Sequence, residues 1–202
     1  LYVCGTTGEF PLLSVEERKH LVECAVTCVG DRLTIMAHCG HNALPPTLEL
    51  VRHAQKVGAH AAGVVVPYFY AYDDEALFRY FSSILESTPD FPILVYNLPQ
   101  RTGIDLPLAV VERLRAKHEN LAGVKESGSL DKIKEWVTLQ CDTFSVFCGI
   151  DTCEYAAFRE GIRAIVASFG NWLPHTFRKF VEAADREDWG TARSLQNRIL
   201  SL

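Results

Sequence analysis

The sequence predicts an α/β chain of the (β/α)8 TIM-barrel class, with the first strand and helix lying outside the stretch given. Three observations carry this. Seven short apolar runs recur about 20–30 residues apart, the length of a βα unit. A helical pattern lies between one run and the next. Each run is apolar at consecutive positions, as strands are when helices cover both faces of a parallel sheet. Such alternation leaves two architectures, an open doubly wound sheet or a closed barrel. No G-x-G-x-x-G follows a strand, which weighs against a dinucleotide-binding open sheet. Seven units and one more ahead of Leu1 make eight. Leu1 already sits in an apolar run and Leu202 in an amphipathic pattern, so both ends read as cut. The expectation is a single barrel domain over 1–202, truncated at both ends; intact barrels take about 250 residues.

The expected strands are "LYVC" (1–4), "LTIMAH" (33–38), "AAGVVV" (61–66), "PILVYN" (92–97), "LAGVKE" (121–126), "FSVFCG" (144–149) and "RAIVAS" (163–168). The first helix opens on Ser14 with Glu17 three positions on, the pattern of a capping box. Leu21, Val22, Ala25 and Val29 then recur at helical spacing. "TLELVRHAQKVG" ends in Gly58, a helix C-terminal signal. "DDEALFRYFSSILES" begins with acids, which suits the helix dipole. "LPLAVVERLRAKH", "LDKIKEWVTL", "TCEYAAFREG" and "LPHTFRKFVEAADRED" complete the helices.

The chain has 202 residues, a net charge of −5 and 48% hydrophobic residues. That is enough apolar material for one sizeable core. The mild acidity and the lack of a basic run argue against nucleic acid as a partner. No stretch has the roughly 20 apolar residues of a membrane helix, so no membrane partner is expected. The seven cysteines are odd in number and hold no C-x-x-C pair. Buried, reduced thiols in a cytoplasmic protein are the expectation.

In a barrel, function sits where strands end at the C-terminal face. Of seven lysines, only Lys125 ends an expected strand. Burial there disfavours the ammonium and leaves an amine able to attack a carbonyl. Read alone, Lys125 is equally a rim lysine that snorkels or pairs with Glu126. Tyr96 ends the preceding strand and should neighbour Lys125; its phenol can pass protons, or be a core tyrosine with a satisfied hydroxyl. "GTTGE" after the first run offers two hydroxyls and backbone N–H groups to a small carboxylate, or is a plain turn. Arg101 presents a two-pronged carboxylate binder, or a surface loop arginine. His38, Cys39 and His41 have the chemistry of metal ligands but lack a fourth ligand at compelling spacing, so no metal site is assigned. Tyr68, Phe69, Tyr70 and Tyr72 suit a substrate mouth or an interface. Lysine, tyrosine and carboxylate receptor together are the set a 2-oxo-acid lyase requires.

"GTTGE", "YNLPQRTG" and "GVKESG", in this order and spacing, resemble the N-acetylneuraminate lyase / dihydrodipicolinate synthase family, over essentially the whole chain. The resemblance implies a (β/α)8 barrel followed by further helices, a homo-oligomer (tetramer or dimer), and class I carbon–carbon or carbon–oxygen lyase chemistry without a metal or cofactor. It implies that Lys125 forms the Schiff base with pyruvate or a related 2-oxo acid. Tyr96 and Thr6 would transfer protons, Thr7 would hold the carboxylate, and Gly149 and Val166 would frame the pocket through backbone groups. Asp151 matches a contact to the distal part of the substrate in some members. Arg101 matches the arginine by which the synthases bind aspartate semialdehyde, which favours 4-hydroxy-tetrahydrodipicolinate synthase-like condensation. Phe69 departs from the family's tyrosine, and "VASFGNWLP" is more like 2-keto-3-deoxy sugar acid aldolases. Such an aldolase or dehydratase, or an N-acetylneuraminate-type one, is the alternative. A catalytically inactive barrel with a binding role is the alternative of another class.

Overall fold

In the computed structural model, residues 1–29 and 32–201 are described. Leu202, expected in an amphipathic pattern, lies outside them. The chain forms two compact units, residues 1–123 and 124–202, and the boundary falls inside one strand.

The first unit carries β1 (Tyr2–Val3), β2 (Met36–His38), β3 (Ala61–Val65) and β4 (Ile93–Asn97). They pair in parallel in chain order. β3 and β4 are buried at every position, which is why their sequences read as unbroken apolar runs. Between them run α1 (Val15–Val29), α2 (Leu44–Lys56) and α3 (Asp74–Ser87), followed by a short α4 (Pro99–Thr102) and α5 (Leu108–Lys117). The capping box forms as expected. Glu17 accepts from the Ser14 N–H at 2.8 Å and from its hydroxyl at 2.7 Å, and Ser14 Oγ accepts from the Glu17 N–H at 3.2 Å. Asp73 caps α3 by accepting from the Ala76 N–H at 2.7 Å. Gly58, just past α2, takes the left-handed φ of +89° that its position requires.

β5 (Leu121–Glu126) crosses the boundary. The second unit continues with α6 (Leu130–Val137), β6 (Ser145–Cys148), α7 (Glu154–Arg159), β7 (Ala164–Ile165), α8 (Pro174–Asp185) and α9 (Trp189–Leu200). β6 and β7 pair in parallel, and α7, α8 and α9 share a core of Phe158, Phe180, Ala183, Ala184 and Ala192. The seven expected strands are all present. The last helical pattern, 173–188, forms α8; Glu187 then turns the chain at a left-handed φ of 58° and Asp188 caps a further helix, α9, which no expected helix covered. The thiols need a correction. Cys4, Cys39 and Cys148 are buried, but Cys24, Cys28 and Cys141 are exposed, because their helix and turn positions face outward.

Candidate active site

The predicted residues fall into two groups, one in each unit. In the second unit, Lys125 and Glu126 end β5, and strand alternation sends their side chains to opposite faces. Glu126 is fully buried and accepts from the Trp136 indole N–H of α6 at 2.6 Å and from the Gly128 N–H. This carboxylate ties down the turn that follows the strand. Lys125 is 6% exposed, so it is no snorkelling rim lysine. Its Nζ donates to Ser127 Oγ at 2.9 Å, and Ser127 donates to the Gly149 carbonyl at 3.1 Å. Gly149 in turn donates its N–H to the Glu126 carbonyl at 2.7 Å. A Cβ on Gly149 would lie 2.2 Å from Ser127 Oγ and 2.6 Å from Lys125 Nζ. The missing side chain is therefore what leaves room at the amine.

Val166 donates its N–H to the Cys148 carbonyl at 2.8 Å, which places it beside the end of β6. Asp151 accepts from the Ser168 N–H at 2.7 Å, and its carbonyl accepts from Gln196 Nε2 of α9 at 3.0 Å. Next to it lies Glu154, 1% exposed, whose carboxyl is acted on by the Asp151 and Gln196 side chains. Burial first, and the Asp151 charge second, push Glu154 up to about 8. Burial pushes the Cys148 thiol up to about 12, so it is no nucleophile at neutral pH.

In the first unit, Tyr96 is the penultimate residue of β4 at 2% exposure, and its hydroxyl lies 3.1 Å from Thr6 Oγ1. The ring is held edge to face by Tyr2 at 6.4 Å and His38 at 6.0 Å between centroids. Thr6 and Thr7 are exposed on a loop closed by the Glu9 N–H to Thr6 carbonyl bond at 3.0 Å. The left-handed positions of this loop are Cys4 and Glu9, both at φ 56°, and not its glycines. Arg101 is exposed on α4. Its loop is fixed by Asn97, which donates to Asp105 at 2.8 Å and accepts from the Leu106 N–H at 2.9 Å. Phe69 is 82% exposed at φ 81° and meets the Tyr70 ring at 4.9 Å.

Ser127, Arg18 and Glu154 were given no role from the sequence, and Glu126 only that of a possible partner to Lys125. Ser127 was within reach, as it lies two residues past Lys125 on the same face of an extended chain. The others are recognised only from what packs around them.

Comparison with known proteins places this chain. The model of the dihydrodipicolinate synthetase family matches residues 1–202. A 4-hydroxy-tetrahydrodipicolinate synthase from Hydrogenobaculum sp. (strain Y04AAS1) is 36% identical over 100% of this chain and 69% of its own length. Dihydrodipicolinate synthase from Aquifex aeolicus superposes with a TM-score of 0.95 at 32% identity, over 99% of this chain and 68% of that one. YagE, a prophage protein of the same family from E. coli K12 solved with pyruvate, superposes at 0.94 with 28% identity, over 99% and 68%. The chain thus spans about two thirds of the length of these relatives. The α/β barrel class expected from the sequence is the class of these neighbours. The chain belongs to the dihydrodipicolinate synthetase family, whose members are class I lyases that work through a Schiff base.

Proposed function

We propose that this chain condenses pyruvate with aspartate semialdehyde in the manner of a 4-hydroxy-tetrahydrodipicolinate synthase, with Lys125 as the Schiff-base residue. The observation that carries the reading is the buried Lys125 amine, hydrogen-bonded to Ser127 and faced by a glycine with no room for a Cβ. The relatives named for this synthase and the neighbour solved with pyruvate support the substrates.

In this reading the Nζ lone pair adds to C2 of pyruvate and gives a carbinolamine. Its hydroxyl takes a proton by way of Tyr96 and leaves as water, while the nitrogen pair forms the C=N bond of an iminium. Loss of a methyl proton turns the C–H pair into a C=C bond and returns the C=N pair to nitrogen. The enamine carbon then attacks the aldehyde, whose oxygen takes up a proton. Thr6, hydrogen-bonded to Tyr96, extends the proton path. Thr7 holds the pyruvate carboxylate, Gly149 and Val166 border the pocket, Asp151 meets the distal part of the adduct, and Arg101 binds the semialdehyde carboxylate. The iminium is itself the electron sink, so no cofactor is called for. A cytoplasmic homo-oligomer completes the reading. The exposed Phe69–Tyr70 pair supports an interface.

Phe69 also favours a second reading, an aldolase or dehydratase for 2-keto-3-deoxy sugar acids, because a phenyl ring has no proton to relay. Turnover with aspartate semialdehyde against sugar-derived aldehydes decides between them. Arg101→Ala should raise KM for the semialdehyde by about tenfold or more, the loss of one charge-assisted hydrogen-bonded pair. Unchanged semialdehyde turnover in that variant removes the support for the synthase.

A further inference from the structure

Arg18 is a buried cation with no carboxylate to answer it. It lies in α1 at 1% exposure, and no acidic group pairs with it among the described residues. Its Nη2 donates to the His38 carbonyl at 2.8 Å and lies 3.4 Å from His38 Nδ1. The guanidinium sits over the Phe10 ring at 5.2 Å. An unpaired buried charge costs stability, and an apolar side chain of the same size is usually as good or better there. The arrangement is therefore one in which the charge serves something other than stability.

Its target is His38. A guanidinium only donates, so His38 Nδ1 must accept and the ring proton belongs on Nε2. A second positive charge on the imidazole is opposed by the first. The ring so fixed stands perpendicular to Tyr96 at 6.0 Å, and the Tyr2 ring meets both, His38 at 5.9 Å and Tyr96 at 6.4 Å. Among the described residues, the titratable groups that act on Arg18 are thiols and phenols, not carboxylates. Burial raises the thiols of Cys4 and Cys39 and the phenol of Tyr2, while burial and then Arg18 lower His41. Tyr68 and Tyr96 add only phenols.

We infer that Arg18 and His38 are positioning residues for proton transfer: Arg18 holds His38 neutral in one tautomer, and His38 with Tyr2 holds the Tyr96 phenol against Thr6. This rests on the proposed lysine–pyruvate reading and adds to it. Neither residue is asked to touch the substrate.

The test separates imine formation from proton transfer. The protein and its R18M, R18K, H38L and H38Q variants are incubated with pyruvate in D2O. Deuterium entry into the methyl group is followed by NMR, and the imine is trapped with borohydride. Trapping on Lys125 should persist in all of them. Exchange should fall roughly tenfold to a hundredfold in R18M and H38L, the cost of a small misplacement. R18K and H38Q should recover most of it. R18M alone should gain a new loss of exchange towards acid pH, because no guanidinium then opposes a proton on His38. Unchanged exchange in folded R18M and H38L overturns this inference alone. So does an equal loss of trapping and exchange, which marks a merely structural role. No trapping in the unaltered protein overturns the lysine reading, and this one with it.

Discussion

At the scale of single residues, the site depends on what is absent as much as on what is present. Gly149 leaves the space beside Lys125 Nζ, and any side chain there meets Nζ and Ser127 Oγ well inside contact distance. Gly149→Ala should therefore cost catalysis far more than folding. Overpacking of this kind costs about 1–3 kcal/mol, whereas pyruvate adduct formation should drop by about a hundredfold, the cost of a misplaced reacting group. Adduct kinetics beside a thermal melt check the split. Glu154 makes a second, separate prediction. Its carboxyl titrates near 4.5 when the chain is unfolded and is pushed up to about 8 when folded. Between these values the folded chain holds the extra proton, so stability falls as pH rises across that window. The slope is at most roughly 1.4 kcal/mol per pH unit. Glu154→Gln cannot ionise and should melt higher than the parent, by a margin that grows from about pH 5 to about pH 8. An identical pH dependence in both proteins contradicts the assignment.

At the scale of elements, β3, β4 and β5 were legible because burial on both faces leaves an unbroken apolar signature, whereas β1, β2 and β7 are shorter than the runs that announced them. Lys125 stood out in the sequence since it interrupts that signature in β5, and Tyr96 since it lies near the end of β4. The four-residue α4 was not legible, being too short to show a period. The expected end of α8 at Asp188 lies close to the observed one, but α9 was not set out as a helix, and the left-handed residue between the two is Glu187, where a glycine would have marked the turn. Helix starts were legible where side chains cap them. α1 is the case that matters, as it carries Arg18 four residues after Ser14 and one after Glu17, the two residues of its N-terminal box. Ser14→Ala should lower stability by about 1 kcal/mol, read as a lower midpoint in urea with an unchanged slope. The same slope with no shift in midpoint would mean that the box contributes nothing.

At the scale of the whole molecule, composition and alternation point to the fold class, and three short motifs point to the family. The individual contacts are a different matter. Ser127 on Lys125, Gln196 on the Asp151 carbonyl and Arg18 on His38 join residues that a linear reading treats separately. Which polar groups meet is set by packing, and packing leaves no period in the sequence. The lysine near the end of an apolar strand was visible and Gly149 came with the family resemblance; that Ser127 accepts from the amine and that Gly149 leaves it room became meaningful only with distances. The central claim is that Lys125 is the nucleophile. Its most direct test is borohydride reduction of the protein with pyruvate, followed by mass analysis of the peptides. One reduced pyruvyl adduct should appear on the peptide containing Lys125, lost in Lys125→Ala and retained in Tyr96→Phe at a slower rate of formation. An adduct on another lysine, or one that persists in Lys125→Ala, would contradict it.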